Sequence, residues 1–156
     1  MSAIIVSEQT IDAVVAALET VDFEKCITDL AARQPNLLAY WASDDFDLLT
    51  QDEKELMLYI LLVLVLAYEK EAGKNLPPLS HKAIENAEEA NWACLDTITA
   101  KRFRDRMDVF FDNYAQEDLL AFVEDNLVED DDSIVTKEGR EPMFVALKSV
   151  IDVFGK

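Results

Sequence analysis

Histidine occurs once in this chain, cysteine twice, glycine three times and proline four times. Each shortage closes a route. An all-β fold with many tight turns needs more glycine and proline than this. A helical di-iron site needs two Glu-x-x-His pairs plus further carboxylates, and a chain whose only histidine is His81 has neither pair. A histidine-based triad would have to use the same residue, and no serine stands in a Gly-x-Ser-x-Gly turn. Gly73, Gly139 and Gly155 are isolated, so there is no glycine-rich loop to cradle a phosphate. Cys26 and Cys94 lie far apart, in no metal or redox spacing and among apolar helical neighbours. Such thiols behave as small hydrophobes, and both are expected to be free.

Positive charge is scarce as well. Fourteen lysines and arginines stand against 32 acids, a formal charge of −18. That balance favours solubility and repels nucleic-acid backbones and anionic membranes. The longest uncharged apolar run, Leu56 to Tyr68, has about 13 residues, short of the roughly 20 that a bilayer span needs. The start, MSAIIVSEQT, has no basic n-region and too short an apolar stretch for a signal peptide. The expectation is a cytoplasmic protein.

What is abundant is apolar residue at helical spacing, within a hydrophobic fraction of 51%. LMLYILLVLVLA, Leu56 to Ala67, is apolar on every side and must be covered on every side. Thr50 and Glu53 have the capping-box spacing before it, and Gly73 is the stop after it. One hydrophobic helix over residues 51–72 therefore sits at the centre. Around it the pattern gives a helix capped by Ser7 with Ile11, Val14, Val15 and Leu18 inward. A second is capped by Asp22, with Phe23, Ile27 and Leu30 on one face, and a short one starts at Pro35. Ser80 opens the next. Ile84, Ala87, Cys94, Leu95 and Ile98 form one stripe, and Phe103, Met107, Phe110 and Tyr114 another about 100° away, so either a break into two helices or a kink in one long helix is expected near Asp96 to Thr99. A helix over Gln116–Val128 turns Leu119, Leu120, Val123 and Leu127 inward and Glu117, Asp118, Glu124 and Asp125 outward. The last helix enters near Glu141-Pro142 and uses Met143, Phe144, Leu147, Val150, Ile151 and Phe154. The sum is one all-α domain over residues 1–156, a helical bundle of about seven helices around the central one.

Candidate sites are few. His81 precedes Glu85 by one helical turn, which reads as a partly exposed histidine beside a solvated acidic face, and no metal or other cofactor is expected. Asp130, Asp131 and Asp132 with Glu141 have the outer spacing of a calcium loop. Ile134 and Val135, however, fill the positions that need an oxygen ligand and a glycine, so the match fails. Lys101, Arg102, Arg104 and Arg106 form one basic island, a candidate anion contact; internal pairing with neighbouring acids, through Arg102 and Arg106, or plain solvation is the favoured reading. Glu124, Asp125, Glu129, Asp130, Asp131 and Asp132 are candidate docking acids for a basic protein partner.

No catalytic motif emerges. The expected function is a non-catalytic cytoplasmic protein-interaction module with an acidic surface. The alternatives are an acidic nucleic-acid mimic that occupies a basic protein surface, and a small-molecule or metal-dependent enzyme without a recognisable motif. A broad apolar surface patch favours the first, a row of exposed acids the second, and a pocket with converging polar groups the third.

Overall fold

Thr50 and Glu53 close the cap that their spacing predicts: the Thr50 hydroxyl accepts from the Glu53 N–H (3.1 Å) and the Glu53 carboxylate accepts from the Thr50 N–H (2.8 Å). Gly73 ends the same helix in the left-handed conformation, φ 72°. The helix between them runs Gln51–Ala72. This computed structural model describes residues 4–128 and 133–154. Among them the chain is all-helical, with eight α-helices: α1 (Glu8–Leu18), α2 (Phe23–Arg33), α3 (Pro35–Trp41), α4 (Gln51–Ala72), α5 (His81–Leu95), α6 (Phe103–Met107), α7 (Glu117–Leu127) and α8 (Lys137–Asp152). Short 3-10 turns follow α3 and α6. None of the helices is long and apolar enough to cross a membrane.

Of the two alternatives near Asp96, the chain takes the break: α5 ends at Leu95, and helical structure resumes only at Phe103. Ile84 and Leu95 of one stripe and Phe103, Met107 and Phe110 of the other are all buried, so the phase shift in the sequence reflects two separate segments.

α4 is central, and it does not stand alone. α1 packs along one side of it and α8 along another, while α5 and α7 pack on α8. From Met143 to Ile151 every residue of α8 is buried, Lys148 and Ser149 included. The face expected from the apolar spacing is there; the opposite face is covered too. α4 and α8 run parallel, because their N-termini meet through Glu53 and Thr136 and their far ends through Tyr68 and Phe154, ring centroids 5.0 Å apart.

Three expectations are corrected. α8 begins at Lys137, not near Glu141, and Pro142 lies inside it. Proline at that position forgoes the bond its N–H would have given the Glu138 carbonyl. The earlier start is fixed from outside, by Thr136, whose hydroxyl caps Gly139 (3.0 Å) while its own N–H and O–H donate to Glu53 (2.9 Å each). Phe23 is not in the core but 38% exposed, at the rim against Tyr59. The cover of α4 is also incomplete: Leu56, Leu58, Tyr59 and Leu66 are only half-buried.

Glu53 is fully buried, and Gly139 is the residue that lets α8 approach it. A Cβ built on Gly139 would sit 2.1 Å from Glu53 Oε2. Glu53→Ala is expected to cost about 3 kcal/mol or more, since backbone donors at two helix starts lose their buried acceptor. Gly139→Ala is expected to destabilise by collision with the same carboxylate. In urea unfolding the double variant should therefore lose less than the two singles together, by about 1 kcal/mol or more. Strict additivity would show that the two positions do not meet.

Candidate functional site

Ile84, Ala87, Asn91 and Leu95 follow one another at spacings of three and four on α5, so Asn91 is carried to the inner face with the apolar residues. There it meets Lys148, Ser149 and Asp152, on consecutive turns of α8. Asn91 Nδ2 donates to Ser149 Oγ and Asp152 Oδ2, both at 2.9 Å. Lys148 Nζ donates to Asn91 Oδ1 (2.9 Å) and to the two Asp152 oxygens (3.2 and 3.0 Å). Tyr114 closes the group from the other side: its hydroxyl donates to Asp152 Oδ1 at 2.6 Å, and its ring lies 4.7 Å from the ammonium. Phe110 adds a second ring at 5.1 Å.

This is the densest polar cluster in the described core, and sequence reasoning missed it. The signal was present: an asparagine within an apolar stripe, and a lysine and an aspartate one turn apart. All three donors of the ammonium are engaged inside the protein. Its chemistry is that of a clasp holding α5, α8 and the Tyr114 loop together.

His81, in the first turn of α5, is half-buried, with Nε2 3.2 Å from Glu85 and its ring edge-on to Tyr40 at 5.8 Å. The Tyr40 hydroxyl donates to Glu88. Among the described residues no three His, Cys, Asp or Glu are placed to hold a metal ion. Trp41 faces the α4 N-terminal turn: its Nε1 donates to the Lys54 carbonyl (3.0 Å), and Lys54 returns a bond to the Trp41 carbonyl (2.6 Å). Trp92 packs half-buried against the core.

The basic island is divided. Arg106 grips Glu141 through two parallel bonds (3.0 and 3.1 Å) and donates to the Ile98 and Ala100 carbonyls. Arg104 donates to Glu124 (2.8 Å) and lies 3.5 Å from Asp125. Internal pairing thus engages Arg104 and Arg106, rather than Arg102 as its spacing suggested; Lys101 and Arg102 are exposed. Arg140 is a further buried cation, donating to the Leu127 and Val135 carbonyls over the Phe103 ring.

Glu124 is the correction among the acids. It is 8% exposed and turned toward Arg104, because it stands four residues after Leu120 and three before Leu127, on the inner side of α7. Burial pushes its carboxyl above the usual range, against the opposing pull of Arg104. Asp125 is exposed as expected. Glu129, Asp130, Asp131 and Asp132 lie outside the described residues.

An open depression of 510 Å³ lies elsewhere, on the uncovered flank of α4. Phe23, Leu56, Tyr59 and Ile134 line it, with Asp52 and Glu55 at its edge. Phe23 and Tyr59 stack loosely, 6.5 Å between centroids, and Ile134 is 48% exposed. Farther along the same helix, Leu66 floors a second groove of 540 Å³ with Val21 and Cys26 on its walls. Both cysteines are free and half-buried. The chain matches no protein-family model, no curated protein and no solved structure.

Burial and neighbouring carboxylates raise the phenols of Tyr40 and Tyr114 well above their ordinary value of 10.0. A phenol raised in the folded state stabilises the fold fully below the unfolded value and progressively less above it. The urea midpoint is therefore expected to fall once pH exceeds about 10. Tyr114→Phe should flatten that fall while lowering stability at neutral pH. An unchanged alkaline profile in the variant would mean that Tyr114 ionises as freely folded as unfolded.

Proposed function

We propose that this chain is a non-catalytic protein-interaction module that presents an acidic surface to a basic partner. One observation supports the reading: acids crowd one exposed stretch of the surface, while several of the described cations bind partners within the protein. Arg33, Lys54, Arg104, Arg106, Arg140 and Lys148 all bind partners within the protein. Meanwhile Asp44, Asp45, Asp47, Asp52 and Glu55 all stand exposed between residues 44 and 55. The net charge of −18 is thus displayed outward, and charge of this kind supplies on-rate and orientation. Exposed Phe23 and Ile134 beside such acids favour a protein surface as the partner over the role of a nucleic-acid mimic, since apolar side chains anchor protein contacts. The free thiols Cys26 and Cys94 fit a reducing, cytoplasmic setting.

The test is the association rate with a partner recovered by cross-linking in cells. Raising salt from about 50 to about 500 mM shrinks the Debye length from about 14 to about 4 Å and should slow association severalfold. Replacing Asp130, Asp131 and Asp132 together by Asn should slow it at low salt while leaving the fold intact. A partner indifferent to both changes would remove charge from the account of binding.

A further inference from the structure

α4 is apolar on every side, and the fold leaves four of its apolar residues half-buried, Leu58 on one side and Leu56, Tyr59 and Leu66 together on another. Leu56, Tyr59 and Leu66, the half-buried residues of that flank, lie within about 80° of one another around the helix. Phe23 from the start of α2 and Ile134 from the segment before α8 extend it outward. These two belong to the small set of large apolar side chains that the described surface exposes, with Ile5, Val21 and Leu48. Val21 borders the neighbouring groove on the same helix. Three of these five side chains thus border the half-buried flank of α4 or the groove beside it, while Ile5 and Leu48 lie elsewhere.

Around the depression the charge has one sign. Asp52 and Glu55 belong to its lining, no lysine or arginine among the described residues does, and Glu19 is close enough to act on the Tyr59 hydroxyl. A second copy of this chain would bring the same acids against themselves, at a net −18 on each side. Like charges facing across an interface oppose association.

We propose that the Phe23–Leu56–Tyr59–Ile134 flank is a docking site for an amphipathic segment of a partner protein, apolar on one face and bordered by lysine or arginine. The inference rests on the reading of the chain as an interaction module, and it supplies the partner's chemistry and the place of contact. Apolar residues of the segment enter the depression beside Tyr59. Its cations face Asp52 and Glu55 on the first turns of α4, where they replace solvent as partners of the carboxylates. A helix with anchors at i, i+3 or i+4, and i+7 meets both demands, as in other helix-in-groove complexes.

The probe is a synthetic helix of leucine and lysine, about fourteen residues or four turns long, with leucines at helical spacing. Its controls are a scrambled peptide of the same composition and a version with glutamate in place of lysine. Binding is followed by fluorescence anisotropy and mapped by amide chemical shifts. The amphipathic basic peptide is expected to bind, with shifts centred on residues 52–59, Phe23 and Ile134, and both controls to bind at least about tenfold more weakly. The double variant Phe23→Ser and Ile134→Ser changes side chains at the rim and, checked by its amide spectrum to be folded, should weaken the peptide at least tenfold. Leu48→Ser, exposed but elsewhere, should change nothing. Asp52→Asn with Glu55→Gln should reduce the salt dependence.

The proposal is overturned by no saturable binding below about 1 mM, by equal binding of the scrambled peptide, or by full affinity in the Phe23/Ile134 variant. A dimer of the protein alone that dissociates in that variant would overturn it in favour of a second copy. Salt-sensitive binding of a cellular partner that survives the Phe23/Ile134 changes would refute this site and leave the acidic interaction module standing.

Discussion

Two helices that run parallel place their N-termini side by side, and each terminus carries unsatisfied N–H groups and the positive end of its dipole. In this protein α4 and α8 are such a pair, and Glu53 lies between their starts. One carboxylate oxygen takes the Thr50 N–H and the other takes the Thr136 N–H and hydroxyl, while Thr136 in turn caps Gly139. A single buried acceptor therefore completes the first turn of both central helices and fixes their relative height. Gly139 makes room for it, with no side chain to strike the carboxylate. The remaining helices are arranged about this pair, α1 on α4 and both α5 and α7 on α8. A shift of either central helix would separate Glu53 from Thr136 before it disturbed much apolar contact.

At the other end of α8 the problem is different. A helix covered on all sides must either be apolar on all sides or have its polar groups satisfied internally. α8 takes the second course. Lys148 and Asp152 share a helix face with Phe144, and their groups are met by Asn91 of α5 and by Tyr114. Ser149 is satisfied twice, by Asn91 and by the Val145 carbonyl. Removing one member of such a network strands the others, so its cost exceeds that of one hydrogen bond. The cluster resembles a reactive site in its inventory of groups, and its bonding assigns it to the packing of α5 on α8.

The caps and the apolar spacing made most of the fold legible in advance. Ser7, Asp22, Thr50 and Ser80 each cap the helix that their position announces, and Gly73 ends the central one. These are local signals, carried within four residues. The start of α8 is set by Thr136, a local cap that Pro142 masks in the sequence and that Glu53 holds in place from 83 residues away. Pro142 marked a beginning by local rules, and the cap at Thr136 overrode it. Glu124 was placed outside because acids are usually exposed, although its distances from Leu120 and Leu127 set it inward. Asn91 and Lys148 were passed over for the same reason: type was weighed above phase. The exposed flank of α4 was not legible at all, because which side of an all-apolar helix is left uncovered depends on how its neighbours fall.

An exposed apolar flank on a central helix is a hazard for most proteins, since copies of the same surface can meet. Here the charge answers the hazard. Asp52 and Glu55 border the depression, and the whole chain carries −18, so two copies approaching by this face are repelled before their apolar groups touch. At physiological salt that repulsion reaches about 8 Å, roughly the separation at which side chains begin to meet. The same field attracts a basic segment over the same distance. On the proposed docking reading, a surface that is apolar within an acidic rim discriminates by charge first and by shape second, opposing its own kind and favouring an oppositely charged partner. That division of labour gives the high acid content and the uncovered side of α4 one physical explanation: the first keeps the second available.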